Sequence, residues 1–182
     1  MALVESSKIS MGTKMPDFVL KDPDNEEHKS DKLFDENGLL VIFTCNHCPY
    51  AIAQWDRMKK LALHARKLKI NTVAINPNIN PNYPDDSPEN MKKLIQELGI
   101  TFSYLVDEKQ EIARKFDARC TPDLYLYDKN QKLVYHGRMD DNWEDESAVT
   151  KEELKEAIDN LGNGKEIIEE QKPSMGCSIK WV

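Results

Sequence analysis

Five apolar residues in a row, Leu39-Leu40-Val41-Ile42-Phe43, run straight into Thr44-Cys45-Asn46-His47-Cys48-Pro49-Tyr50. An unbroken apolar run of this length suits a strand covered on both faces. Downstream, Ile52, Trp55, Met58, Ala62 and Ala65 recur at helical spacing, which predicts a helix running to about Lys67. Two cysteines three residues apart therefore fall where a buried strand hands over to a helix, and the rest of the chain is organised around that junction.

Residues three apart at a helix start share a face, roughly 5–6 Å from one another, within reach of a disulfide. The unbonded N–H groups and positive dipole end of a helix favour a thiolate over a thiol. A thiolate is the attacking species in disulfide exchange. Pro49 fits the first turn, where its missing N–H costs little. The motif reads as a dithiol that opens and closes, with Cys45 nearer solvent and Cys48 held by the helix. His47, between them, is either a surface loop residue or an imidazole that stabilises the thiolate and makes the couple more oxidising.

A chain of 182 residues is one domain, or a domain with extensions, and can bury a real core. A net charge of −7 argues against a nucleic-acid or anionic-membrane partner. No apolar run approaches the length of a membrane span. The first residues, Met1 to Lys8, lack a charged lead followed by an apolar core, so the expected location is cytoplasmic. Four unevenly spaced cysteines are too few for a disulfide-stapled secreted domain; in a reducing compartment a CxxC is catalytic or metal-binding rather than structural.

Taken in order, residues 1–15 read as loosely ordered, followed by a hairpin through Phe18–Leu20, the turn at Asp22-Pro23-Asp24-Asn25 and a return to Asp31. A second buried strand is expected at Ile70–Ile75, then a proline-rich loop to Pro84. Ser87-Pro88-Glu89 opens a helix with stripe Met91, Leu94, Ile95 and Leu98, and Gly99 ends it. A short strand at Tyr104–Val106 leads to a capping box at Asp107–Gln110 and a short helix through Ile112 and Phe116. Leu124–Tyr127 and Lys132–Tyr135 form a hairpin, Asp140–Val149 an acidic, solvated loop around Trp143, and Thr150–Glu153 a capping box for a helix that stops at Gly162. His28, His64 and His136 are dispersed and receive no role. Alternating strands and helices, closed by a hairpin, predict an α/β fold with a mixed sheet. A CxxC ending the first long strand of such a unit reads as a thioredoxin-like redox site. Thr121-Pro122 agrees: a proline entering a strand lies at an edge or is cis, and a cis bond would leave a backbone edge for an extended substrate.

Four segments carry a family resemblance: Met15-Pro16-Asp17-Phe18-Val19-Leu20, Phe43 to Tyr50, Cys120-Thr121-Pro122-Asp123, and the ending Lys172 to Trp181 with Gly176-Cys177-Ser178-Ile179-Lys180-Trp181. On these the chain resembles the thioredoxin-like superfamily. More narrowly, it is similar to the redoxin branch that joins thiol-specific antioxidant proteins to TlpA-type thiol–disulfide oxidoreductases, in a peroxiredoxin-like subgroup. The resemblance implies a thioredoxin-like domain at 15–162, with a central mixed β-sheet flanked by helices. An N-terminal arm spans 1–14, an N-terminal β-hairpin extension follows, and a C-terminal tail spans 163–182, packed on the domain. It implies a cis peptide before Pro122 beside the cysteine pair, Cys45 as nucleophile and Cys48 as resolving thiol. Thr44, His47 and Thr121 are the candidate lining residues.

Peroxiredoxins carry a threonine three residues before the reactive cysteine and an arginine about where Pro122 stands. Thr44 directly precedes Cys45, and Arg119 is not at the proline's position, so dithiol–disulfide exchange is the expected reaction and peroxide reduction the alternative. The expected partners are a thiol or disulfide substrate and an external reductant of the thioredoxin or glutathione type, with no cofactor, on a monomer or homodimer. Copper or zinc binding by the two thiolates and His47 is the rival of another class; no second CxxC completes a closed zinc site. Cys120 is either core filler or a third thiol near the site. Cys177 belongs either to a packed tail or to a resolving thiol brought back to the site or to a partner subunit.

Overall fold

The structure, a computed structural model, describes residues 3–168 and 170–182. Its strands and helices in chain order are β1 (Leu3–Glu5), β2 (Val19–Lys21), β3 (Glu27–Lys29), β4 (Gly38–Phe43), α1 (Pro49–Ile52), α2 (Trp55–Lys67), β5 (Ile70–Asn76), α3 (Pro88–Leu98), β6 (Ser103–Val106), α4 (Glu111–Lys115), β7 (Cys120–Thr121), β8 (Asp123–Asp128), β9 (Leu133–Gly137), α5 (Glu153–Gly162) and β10 (Met175–Ser178). Seven strands form a mixed sheet in the order β3-β2-β6-β5-β4-β8-β9, parallel across β4, β5 and β6 and antiparallel elsewhere. This is the expected central mixed sheet with helices on its faces. Among the described residues no helix is long and apolar enough to cross a membrane.

Strand β4 is buried throughout because both of its faces are covered. Successive side chains alternate between faces. Leu40 and Ile42 pack with Trp55, Met58 and Ala65 of α2 and Leu154 and Ile158 of α5. Leu39, Val41 and Phe43 point the other way, into Phe18, Ile112, Phe116 and Tyr125. There Phe43 meets Phe116 and Tyr125 edge-on, with ring centroids 5.2 and 5.8 Å apart. Each such fully buried side chain contributes roughly 1.5–3 kcal/mol, so the cysteines follow a strand that is held on both faces along its whole length.

Several expectations are corrected. The helix after the cysteines is broken: α1 is a single turn, Ala53 and Gln54 interrupt it, and the Gln54 amide donates back to Tyr50 O at 3.0 Å before α2 starts. Ile52 accordingly leaves the buried stripe and is 57% exposed. Residues 3–15 are not loose, residues 1 and 2 of that expectation lying outside the described residues: β1 pairs with β10, and the N–H groups of Gly12 and Met15 donate to Leu133 O and Gln131 O. Ser87, Pro88 and Gly99 cap α3 as expected, with Gly99 at φ 62°. At α4 the Asp107 carboxylate accepts from the N–H groups of Ile112 and Ala113, while Gln110 takes the N-cap position without a side-chain bond. Thr150 does not cap α5; its N–H and hydroxyl donate to Asp141, and Glu153 accepts from Arg138 at 3.0 Å.

The acidic loop is strapped at its start, while Glu144 to Ala148 are exposed as expected. Arg57 of α2 donates to Asp140 at 2.6 Å, to Asn142 O at 2.7 Å and to Trp143 O. The Trp143 ring lies 4.0 Å from the Tyr50 ring, next to the cysteines. Arg57→Ala would leave Asp140 buried without its cation and is expected to lower unfolding stability by roughly 3–5 kcal/mol. Denaturant titration measures the loss, and Trp143 should become more quenchable in the same variant; an unchanged midpoint would show the strap to be ornamental.

Candidate active site

Three sulfurs share one pocket. Cys45 follows β4, Cys48 is the N-cap of α1, and Cys177 arrives on β10. They pack with Ala51 and Tyr50, and their exposures are 0%, 0% and 2%. The expectation that Cys45 lies nearer solvent is therefore overturned: both cysteines of the motif are covered. The cover is β10, which pairs antiparallel with β7, Cys177 opposite Thr121 and Ser178 opposite Cys120. The backbone edge expected to await a substrate is occupied by the chain's own C-terminal segment.

Thr121 and Pro122 sit as expected, joined by a cis peptide beside the sulfurs. The Thr121 hydroxyl lies 3.2 Å from Cys45 Sγ, and the neutral Cys48 thiol donates to Thr121 O at 3.3 Å. Pro122 lines a cleft of about 120 Å³ together with Gln54, Trp143 and Met175, the opening closest to the pair. Thr44 is buried, its N–H donating to Ile75 O, and its hydroxyl has no hydrogen-bond partner among the described residues. It does not join the sulfur cluster.

The two motif cysteines are driven apart electrostatically. Hydrogen bonding from Cys45 is the largest influence on Cys48; burial opposes it, and donors from Cys177 and the Ala51 and Cys177 N–H groups add to it, drawing the Cys48 thiol down to about 5. The Thr121 carbonyl, which bonds only the neutral thiol, opposes this pull but is a single acceptor against four donors. Burial pushes Cys45 well above the usual thiol range, reinforced by its bond to Cys48 and the charge of Asp86. Cys177 is pushed up to about 12, first by burial and then by its bond to Cys48, with Lys180 acting the other way. Of the two motif sulfurs, Cys48 is the one drawn toward the thiolate. The pull comes from direct donors rather than a helix dipole, since α1 is one turn long.

Asp86, absent from the sequence reading, is the polar hub on the far side of Cys45. It is fully buried; one carboxylate oxygen accepts from Asn46 N–H at 2.6 Å and the Asn76 amide at 3.1 Å, and the other bonds His47 Nδ1. His47 stacks on Tyr83, with centroids 4.7 Å apart, and its buried Nε2 has no partner among the described residues. The charge that reaches Cys45 is that of Asp86, to which His47 is bonded. Only an acidic pair inside a proline-bounded turn, Pro84 to Pro88, marked Asp86 in the sequence. One sulfur of Cys45, one ring nitrogen of His47 and one oxygen of Asp86 lie within 4.8 Å of one another, a donor set of the zinc type.

Cys120 stays outside the cluster. Its thiol donates to Pro122 O at 3.6 Å, and burial followed by the Asp123 charge pushes it well above the usual range. Asp123 is paired in turn with buried His136 at 2.9 Å, beneath the Tyr125 ring. Arg119, the arginine nearest Pro122 in sequence, is exposed and pairs with Asp117 at 3.5 Å.

Comparison with known proteins agrees with this geometry. A thiol-disulfide oxidoreductase ResA from Geobacillus thermodenitrificans is 23% identical over 159 residues, 86% of this chain and 81% of that protein. An uncharacterized conserved protein from Geobacillus kaustophilus superposes with a TM-score of 0.94 at 39% identity, covering 100% of this chain and 97% of that one. A hypothetical protein from Sinorhizobium meliloti does so at 0.92 and 35%, covering 98% of each. A peroxidoxin from Mycobacterium tuberculosis, at 0.60 and 14% over 86% of this chain and 96% of that one, shares the fold alone. Residues 11–136, which hold the whole β4 to cis-proline unit, match the AhpC/TSA family model, and the chain belongs to that redoxin family.

Proposed function

We propose that the protein is a thiol–disulfide oxidoreductase cycling Cys45 and Cys48 between dithiol and disulfide. What carries the reading is the placement of the two sulfurs: Cys45 and Cys48 share one dry pocket against the Thr121–Pro122 cis peptide, with Cys48 drawn below the usual thiol range by its donors and Cys45 pushed above it by burial. Cys48, rather than Cys45, then makes the attack. Its thiolate displaces one half of a substrate disulfide as a thiolate and forms a mixed disulfide with the other half. Cys45 attacks Cys48 Sγ, losing its proton toward the Asp86–His47 pair, and the second half leaves. The substrate gains two electrons, the dithiol becomes a disulfide, and an external thiol reductant reverses that change. Metal binding by Cys45, His47 and Asp86 is the weaker reading, because a metal must first displace the proton that burial holds on Cys45 and break the His47–Asp86 bond.

Equilibration of the wild-type protein in glutathione buffers of stepped ratio, followed by peptide mapping, tests the reading. The expected result is a single two-electron transition that places Cys48 in a disulfide. A Cys48 that remains a thiol in fully oxidised buffer would remove it.

A further inference from the structure

We propose that Cys177 is a second resolving thiol of this centre, and that β10 returns a sulfur to Cys48 along the same backbone edge that an extended substrate would use. The proposal rests on the exchange reading above and extends it to the chain's own C-terminal segment.

Geometry carries it. Among the described residues Cys48 is the central member of a three-sulfur cluster, flanked by Cys45 on one side and Cys177 on the other. β10 is anchored at both ends rather than draped. Ser6 N–H donates to Ser174 O at 2.9 Å and Ser174 N–H to Ser6 Oγ at 3.0 Å. Beyond Cys177, Ile179 N–H donates to Arg119 O at 3.1 Å and Lys180 N–H to Asn78 Oδ1 at 2.8 Å. Val182 N–H ends the series on Gln110 Oε1 at 2.9 Å, and Arg114 lies over the Trp181 ring at 4.3 Å. The residue before Cys177 is glycine, and a Cβ there would sit 2.2 Å from Thr121 O, so the approach that delivers the sulfur admits no side chain. A cysteine acting only as a small hydrophobe would be served by any pocket of the core; this one is aimed at the thiolate by a strand that pairs with the residue before the cis-proline.

The step balances. Once Cys48 holds half of a substrate disulfide, Cys177 Sγ attacks Cys48 Sγ. The bond between Cys48 and the substrate sulfur breaks, that sulfur leaves with its electron pair, and it takes up the proton given by Cys177. The product is a Cys48–Cys177 disulfide and a free substrate thiol.

The test uses the full-length Cys45→Ser protein and the disulfide of thionitrobenzoate, whose release is read by absorbance. The expected result is a second equivalent of thionitrobenzoate, with a Cys48–Cys177 disulfide in the peptide map. In Cys45→Ser/Cys177→Ser, and likewise in Cys45→Ala/Cys177→Ala should the serine forms misfold, the adduct on Cys48 should persist at least about 100-fold longer, as removal of an oriented intramolecular thiol requires. A Cys48 adduct that persists equally in Cys45→Ser and in the double variant would overturn the role of Cys177 and leave the exchange reading standing. A Cys48 that takes up no thionitrobenzoate in any folded variant, the wild type included, would overturn both.

Discussion

Cys48→Ser is expected to abolish disulfide exchange while the fold persists. A serine hydroxyl stays neutral where the Cys48 thiol ionises at about 5, so the variant lacks the one sulfur that the pocket holds as an anion. In an insulin-reduction assay the loss should be at least about 1,000-fold, and neither Cys45 nor Cys177 should substitute, because burial keeps both as thiols. The wild-type rate of attack by Cys48 should rise up to about pH 5–6 and then level off. An ordinary thiol would keep climbing toward 9. Stability follows the same titration. The Cys48 pKa is lowered on folding, so the folded state holds a thiolate where the unfolded chain still holds a thiol. Its contribution is full above about 9 and disappears as the pH falls through about 5. Denaturant midpoints of the reduced protein, taken at several pH values inside that window, should rise with pH in the wild type and lose that slope in Cys48→Ser. Residual exchange near the wild-type level in the variant would show that another sulfur leads.

Gly176→Ala is expected to have the largest effect on access to the site. The added Cβ would meet Thr121 O at 2.2 Å and Thr121 C at 2.7 Å, both backbone atoms that cannot turn aside. The strand must lift from β7, breaking the pairing of Cys177 with Thr121 and uncovering the sulfurs. Overpacking of this kind costs about 1–3 kcal/mol, and loss of cover should accelerate alkylation of Cys48 by at least about tenfold. Both are measured on one preparation, by denaturant titration and by timed labelling with iodoacetamide. Unchanged stability and unchanged labelling together would mean that β10 does not sit on β7 in solution.

Much of this architecture is written in local patterns. The apolar run at Leu39–Phe43 can satisfy itself only between two layers, and the alternation of strands and helices then forces the parallel pairs β4–β5 and β5–β6. Ser87, Pro88 and Gly99 mark α3 because capping is a short-range affair. Pro122 could be marked as an edge or cis proline because a proline entering a strand has few options, and the family resemblance implied its place beside the cysteines. A C-terminal tail packed on the domain, with Cys177 a candidate for return to the site, was expected; that it covers the cysteines as a strand was not legible. Met175-Gly176-Cys177-Ser178 has little strand propensity of its own; it is a strand only because β7 on one side and β1 on the other supply partners that are remote in sequence. Asp86 was equally silent, since its importance depends on a loop folding back to place a carboxylate against Asn46, His47 and Cys45. The break between α1 and α2 hid behind a periodicity that Trp55, Met58 and Ala65 maintain and Ile52 does not.

The small sheet β1-β10-β7 joins segments whose residues stand as much as 174 positions apart, as Leu3 and Cys177 do. A nascent chain therefore emerges from the ribosome with Cys45 and Cys48 made early and their shutter made late. Until β10 has been synthesised and docked, Cys48 lacks both its cover and the donors that Cys177 brings, so the reactive state of this centre is completed only by the C-terminal strand.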